Sequence, residues 1–129
     1  MKNIGRLSET EMEVMQTIWE LPAPVTVAQI LAIFEESKGW KTSTLSTILA
    51  RLIEKGFLTK EMKGKVNYYN TSLTLQEYQN HEAGSLLTNL YGGNVKNLIA
   101  ALIDSSGISQ KDVEDLKQWF NTKAGDVGE

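Results

Sequence analysis

The sequence predicts a mainly α-helical chain carrying one small β-hairpin, and three observations predict it. Apolar residues recur at three- and four-residue spacing through most of the chain. The period shortens to two only between Phe57 and Thr71, and capping patterns open successive helical stretches. The 129 residues suit one domain, or one domain with a small accessory part. A chain of that length buries roughly two-thirds of its unfolded surface, so it can hold a real core. Hydrophobic content of 41% and charged content of 22% exclude a disordered chain. The longest apolar run, Leu98 to Ile103, is far too short to span a bilayer, and the N-terminus lacks a signal-peptide apolar core. A cytoplasmic protein without membrane insertion is therefore expected. The chain has no cysteine, which excludes disulfides, thiolate metal sites and a thiol nucleophile. No cofactor and no metal are expected.

Ser8 followed by Glu11 is a capping-box pattern, and Met12, Met15, Ile18 and Trp19 form the stripe of a first helix. Pro22 and Pro24 stop it and force an extended link through Val25. Thr26 and Gln29 repeat the capping chemistry for a second helix with the stripe Val27, Ile30, Leu31 and Phe34, ended by Gly39. A third helix spans about Thr42 to Lys55 and closes at Gly56, burying Leu45, Ile48, Leu49 and Leu52. Its remaining positions are Ser43, Thr44, Ser46, Thr47, Ala50 and Arg51, nearly all small or hydroxylated. Solvent faces of helices favour long Glu, Lys and Gln instead. Small hydroxyl residues with one arginine suit a helix that lies close against a DNA groove, or one packed on another protein surface.

After Gly56, Phe57 to Met62 and Val66 to Thr71 read as strands around Lys63-Gly64-Lys65, a hairpin with two lysines at its tip. Tyr68 and Tyr69 point to opposite faces of the return strand. From Thr74, Leu75, Tyr78, Leu86, Leu87, Leu90 and Tyr91 mark a long helix ending at Gly92-Gly93. A second helix covers Val95 to Ile103, and Ser109 with Asp112 caps a third carrying Val113, Leu116, Trp119 and Phe120. Three helices in about 50 residues are too few to bury so much apolar surface alone, so a second copy is the expected cover. Trp19 and Trp119 are expected in the core, and Trp40 at the start of the third helix as its anchor.

Charge is distributed unevenly. The total is -3, which taken alone argues against a polyanionic partner. Between residues 38 and 69, however, Lys38, Lys41, Arg51, Lys55, Lys60, Lys63 and Lys65 face only Glu54 and Glu61, a net of +5. Each flank carries -4. A polyanion touching the island alone meets local attraction and remote repulsion, with a steep salt dependence.

Helix, helix, basic hydroxyl-rich helix and lysine-tipped hairpin is the order of a winged helix-turn-helix. The sequence also resembles the penicillinase and methicillin-resistance repressors of the BlaI/MecI type, together with the copper-responsive CopY repressors. The likeness rests on Glu11-Met12-Glu13-Val14-Met15 leading to Ile18-Trp19, and on Trp40 followed by Thr44 to Leu52. It continues through Lys55-Gly56-Phe57-Leu58, Lys63-Gly64-Lys65, Tyr68-Tyr69 and Tyr91-Gly92-Gly93. The resemblance implies a homodimeric transcriptional repressor acting on an inverted-repeat operator in double-stranded DNA. It implies a winged-helix DNA-binding domain over residues 1–72 and a helical dimerisation domain over 73–129.

The third helix would enter the major groove, with Lys41, Thr42, Ser43, Thr44, Thr47 and Arg51 toward DNA and Lys60, Lys63 and Lys65 on phosphates. Leu86, Leu90, Leu98, Ile99, Leu102, Ile103, Leu116, Trp119 and Phe120 would form the dimer contact. An upstream sensor protease or signalling protein is a further implied partner. Three departures stand out. Lys41-Thr42-Ser43 replaces a Ser-Pro-Lys run, Ala101-Leu102 occupies the place of a cleavable Asn-Phe step, and the cysteine pair of the copper sensors is absent.

Two other functions are compatible with parts of this pattern. A winged-helix module that docks a protein partner without binding DNA does not require the +5 island. For an enzyme, the one histidine, His81, sits beside Glu82 with no motif bringing a nucleophile near it, so catalysis is not expected.

Overall fold

The computed structural model describes residues 6–105 and 107–127, with side chains as far as Lys123. Helices α1 (Glu9–Glu20), α2 (Val27–Lys38) and α3 (Thr42–Glu54) are followed by strands β2 (Leu58–Lys63) and β3 (Val66–Thr71), then helices α4 (Leu75–Asn89), α5 (Val95–Ser105) and α6 (Gln110–Val127). A two-residue strand β1 (Val25–Thr26) precedes α2 and completes a three-stranded antiparallel sheet of order β1-β3-β2.

Local chemistry sets these boundaries. Both expected capping boxes form, Ser8 with Glu11 and Thr26 with Gln29. Gly39 ends α2 at φ 70°, where its amide donates to the Glu35 carbonyl, the 5→1 bond of a left-handed glycine cap, and the Trp40 amide donates to Phe34. The extended link after Pro24 is more than a linker: Val25 pairs with Tyr69 and Thr26 with Tyr68. Two residues are too few to show a period of two, so this third strand is invisible to patterning.

The chain forms two compact units, Met1–Asn80 and His81–Glu129, divided within α4. The division lies beyond the Ser72 boundary expected from sequence because Tyr78 belongs to the first core, its ring 5.3 Å edge-on from Phe57 and 5.7 Å from Trp19. That core gathers Val14, Met15 and Ile18 of α1, Ile30 and Phe34 of α2, and Leu45, Ile48, Leu49 and Leu52 of α3. Val25, Phe57, Leu58 and Tyr69 close it from the sheet side. Each fully buried leucine of α3 contributes about 1.5–3 kcal/mol by leaving water, so α3 is held firmly along its inner face. Trp19 is half-buried and donates its indole N–H to the Leu73 carbonyl at 3.0 Å, fastening the chain where it leaves β3.

The second unit contains the C-terminal part of α4 with α5 and α6. Asn94 caps α5 through the Asn97 amide, and Ser109 and Asp112 form the expected box at α6. Among the described residues, no hydrophobic side chain beyond Tyr78 is buried. Trp119 is 53% exposed, so the expectation that it lies in a core fails within one chain: α6 has nothing in its own unit that covers it.

Candidate nucleic-acid interface

Helix α3 divides its surface as its sequence implies. Leu45, Ile48, Leu49 and Leu52 point inward, while Thr42, Ser43, Thr44, Ser46, Thr47, Ala50 and Arg51 are all exposed. Thr44, Thr47 and Arg51 stand at offsets of three and seven and therefore share one face. Ahead of them Lys41 occupies the N-cap position, exposed and without a side-chain capping bond. The turn from α2 into α3 is fixed by Trp40, whose ring stacks on Phe34 at 4.6 Å and 15°. Trp40 thus anchors the helix start as expected, with its aromatic face spent inside the fold.

The hydroxyls differ in what they offer. Thr47 donates its Oγ1 proton to the Ser43 carbonyl at 3.0 Å. Its outward chemistry is then a methyl group and an oxygen that can only accept. A phosphate oxygen needs a donor, so this geometry suits Thr47 to a base edge, through a thymine methyl or an exocyclic amine. Sequence alone left the choice between phosphate and thymine open.

The hairpin turn is tighter than the tripeptide suggested. Lys63 is the last residue of β2 and pairs with Val66, leaving Gly64 and Lys65 as a two-residue loop. Gly64 at φ 64° supplies the left-handed first position such a loop demands. Lys63 and Lys65 therefore meet at the tip. Lys60, paired with Tyr69, lies on the opposite sheet face from Lys63 by strand alternation. The three lysines do not form one patch. Met62 and Val66 are exposed beside the tip and were not singled out by sequence, since in a period-two strand they read as ordinary alternation.

Ion pairing sorts the basic island. Lys38 pairs with Glu13 at 3.1 Å and Lys55 with Glu11 at 2.6 Å. Lys41, Arg51, Lys60, Lys63 and Lys65 are exposed and have no ion pair among the described residues. Lys38 and Lys55, the two island residues outside the set expected on DNA, are the two engaged in internal pairs. Glu11 is 2% exposed. Burial pushes its carboxyl upward, but the Lys55 ammonium and the Ser8 amide and hydroxyl outweigh this and hold it below its usual 4.5.

In the second unit, Leu86, Leu90, Leu102, Ile103, Leu116, Trp119 and Phe120 are exposed, and Leu98 and Ile99 are half-buried. Trp119 and Phe120 meet edge-on at 5.2 Å, with the Lys123 ammonium 5.9 Å from the Trp119 ring centre. Among the described residues no helix is long and apolar enough to cross a membrane.

A helix-turn-helix whose second helix presents an unpaired arginine among hydroxyls, beside a lysine-tipped wing, defines a winged-helix DNA-binding protein. Comparison with known proteins gives the particular family. The chain matches the penicillinase repressor family over residues 7–122 and belongs to it. It is 30% identical over 128 residues to an uncharacterized 16.5 kDa protein in the ptsI 3′ region of Latilactobacillus sakei, covering 99% of this chain and 87% of that one. It is 26% identical to the penicillinase repressor of Bacillus licheniformis, over 92% of this chain and 91% of the relative. It is 24% identical to the methicillin resistance regulatory protein MecI of Staphylococcus aureus strain N315, over 91% and 94%.

The DNA-binding domain of the repressor BlaI superposes with TM-score 0.53 at 31% identity, over 60% of this chain and 94% of that one. The monomeric Bacillus licheniformis BlaI in complex with the blaP half-operator does so at 0.51, with the same identity and coverage. The protein is a DNA-binding transcriptional repressor of the winged-helix type.

Proposed function

We propose that this repressor acts as a homodimer on an operator of two inverted half-sites, one winged unit to each. The observation that carries the reading is the outer face of α3, where Thr44, Thr47 and Arg51 are exposed while the leucines behind them are locked in the core. A relative seen as a monomer on a half-operator supports one unit per half-site. Helix α3 lies in the major groove. Arg51 takes a guanine through its O6 and N7, or clamps a phosphate, and Thr47 sets its methyl against thymine. Thr42, Ser43 and Thr44 line the groove wall, and Lys41, Lys63 and Lys65 neutralise phosphates. Lys60 contributes from the other face of the wing.

The dimer forms through the second unit. Exposed Leu86, Leu90, Leu102, Ile103, Leu116, Trp119 and Phe120, with half-buried Leu98 and Ile99, supply the apolar surface that one copy leaves in water. Paired recognition helices then meet half-sites about 34 Å apart, or a multiple of that. Repression in the cytoplasm needs no catalysis, because the bound dimer occludes the promoter. Release follows loss of the dimer, in response to a sensor protease or another signalling protein acting on a site other than an Asn-Phe bond. The test is an electrophoretic shift of the promoter region of the protein's own gene across a salt series. A shift that weakens steeply with salt is expected, and a flat response or no shift would sink the reading.

A further inference from the structure

We infer that Lys55, although it belongs to the basic island, is a positioning residue for the recognition helix and touches no phosphate. The inference rests on the DNA-binding reading above and concerns how its reading head is aimed. Lys55 is the C-cap of α3. Its ammonium donates to Glu11 Oε1 at 2.6 Å and to the Arg6 carbonyl at 2.8 Å, and the Ser8 amide donates to that same Oε1 at 2.9 Å. Glu11 is the one buried charged side chain of the described core. A single carboxylate oxygen therefore closes the capping box of α1 and ties down the end of α3, elements 44 residues apart in sequence.

The geometry is unlike that of a surface ion pair. A buried carboxylate left alone is costly, so Glu11 holds Lys55 wherever the first unit is folded. The positive charge also sits where the carbonyl end of the α3 dipole favours it. Since the outer face of α3 carries the base-reading side chains, rotating or tilting this helix misplaces Thr44, Thr47 and Arg51 together. The Trp40–Phe34 stack fixes the start of the helix, and the Glu11–Lys55 pair fixes its end.

The test measures binding of a labelled duplex from the promoter region of the protein's own gene, and of a coding-sequence duplex of equal length, over a salt series. Lys55→Met is expected to lose tenfold or more in affinity for the promoter duplex and less than twofold for the other, with the salt slope unchanged. Glu11→Gln removes one negative charge, which by electrostatics alone would tighten all DNA. It is expected instead to lose promoter preference as Lys55→Met does.

Glu11→Leu combined with Lys55→Met removes both charges and leaves no buried charge unpaired, giving up only the Ser8 amide's acceptor and the Arg6 carbonyl's donor, and it serves if either single variant fails to fold. It too is expected to lose preference. If Lys55→Met weakens both duplexes equally and lowers the salt slope by about one, Lys55 is a phosphate contact and the inference is wrong. Full preference in the folded double variant overturns it as well. If the unaltered protein shows no preference for the promoter duplex, the repressor reading itself falls, and this inference with it.

Discussion

At the scale of single residues, the proposal gives the sequence reading to Arg51 and Thr47, while Glu11 ties α1 to the end of α3. Arg51→Ala is expected to cost about 1–3 kcal/mol of operator binding and to relax discrimination at one base pair, as measured by competition among operator variants. Thr47 separates two chemistries. Thr47→Val keeps the methyl and should retain preference for thymine, while Thr47→Ser keeps the hydroxyl and should lose it; base substitution in the half-site checks this.

Glu11 makes a stability prediction whose sign follows from its environment. Its folded pKa lies below the unfolded value, so its contribution is present above about pH 4.5 and is lost as pH falls through the folded value. The unaltered protein should therefore lose stability in urea melts as pH falls below about 4.5, and Lys55→Met, about 1–3 kcal/mol less stable at pH 7, should lose less over that range. None of this pairing was legible in the sequence. The Ser8–Glu11 box was, because it is local, but nothing in a linear pattern says that the same carboxylate reaches Lys55.

At the scale of elements, the wing and the C-terminal helices separate what is local from what is not. Lys63→Ala at the hairpin tip should weaken all duplex DNA about equally and lower the salt slope by about one, whereas Lys60→Ala, on the other sheet face, should change it less. Helix boundaries were readable because caps, glycines and prolines act within a few residues: Ser8, Thr26, Gly39 and Ser109 each do in the fold what they announce in the chain. Strand β1 was not readable, since two residues acquire strand character only from their partners Tyr68 and Tyr69. Trp119 was misplaced for a related reason. Its apolar stripe on α6 is real, but periodicity shows only that a face seeks cover, not whether its own chain supplies it.

At the scale of the whole molecule, the total charge of -3 conceals the reading head. The structure sharpens the island by committing Lys38 and Lys55 to internal pairs and leaving Lys41, Arg51, Lys60, Lys63 and Lys65 toward solvent. In the proposed dimer the acidic flanks would oppose binding by a lone subunit, and affinity would depend on two heads acting together. Leu102→Glu on α5 should then shift the protein from dimer toward monomer in sedimentation equilibrium and weaken full-operator binding at least tenfold, with half-site binding little changed.

The measurement that bears most directly on the central claim compares the unaltered protein with Arg51→Ala on its own promoter duplex and on unrelated duplex across a salt series. The account predicts tight, salt-steep binding with a clear preference for the promoter, and a marked reduction of that preference in Arg51→Ala while binding to unrelated duplex is little changed. Equal affinity of the unaltered protein for both duplexes, or a preference untouched by the substitution, would contradict it.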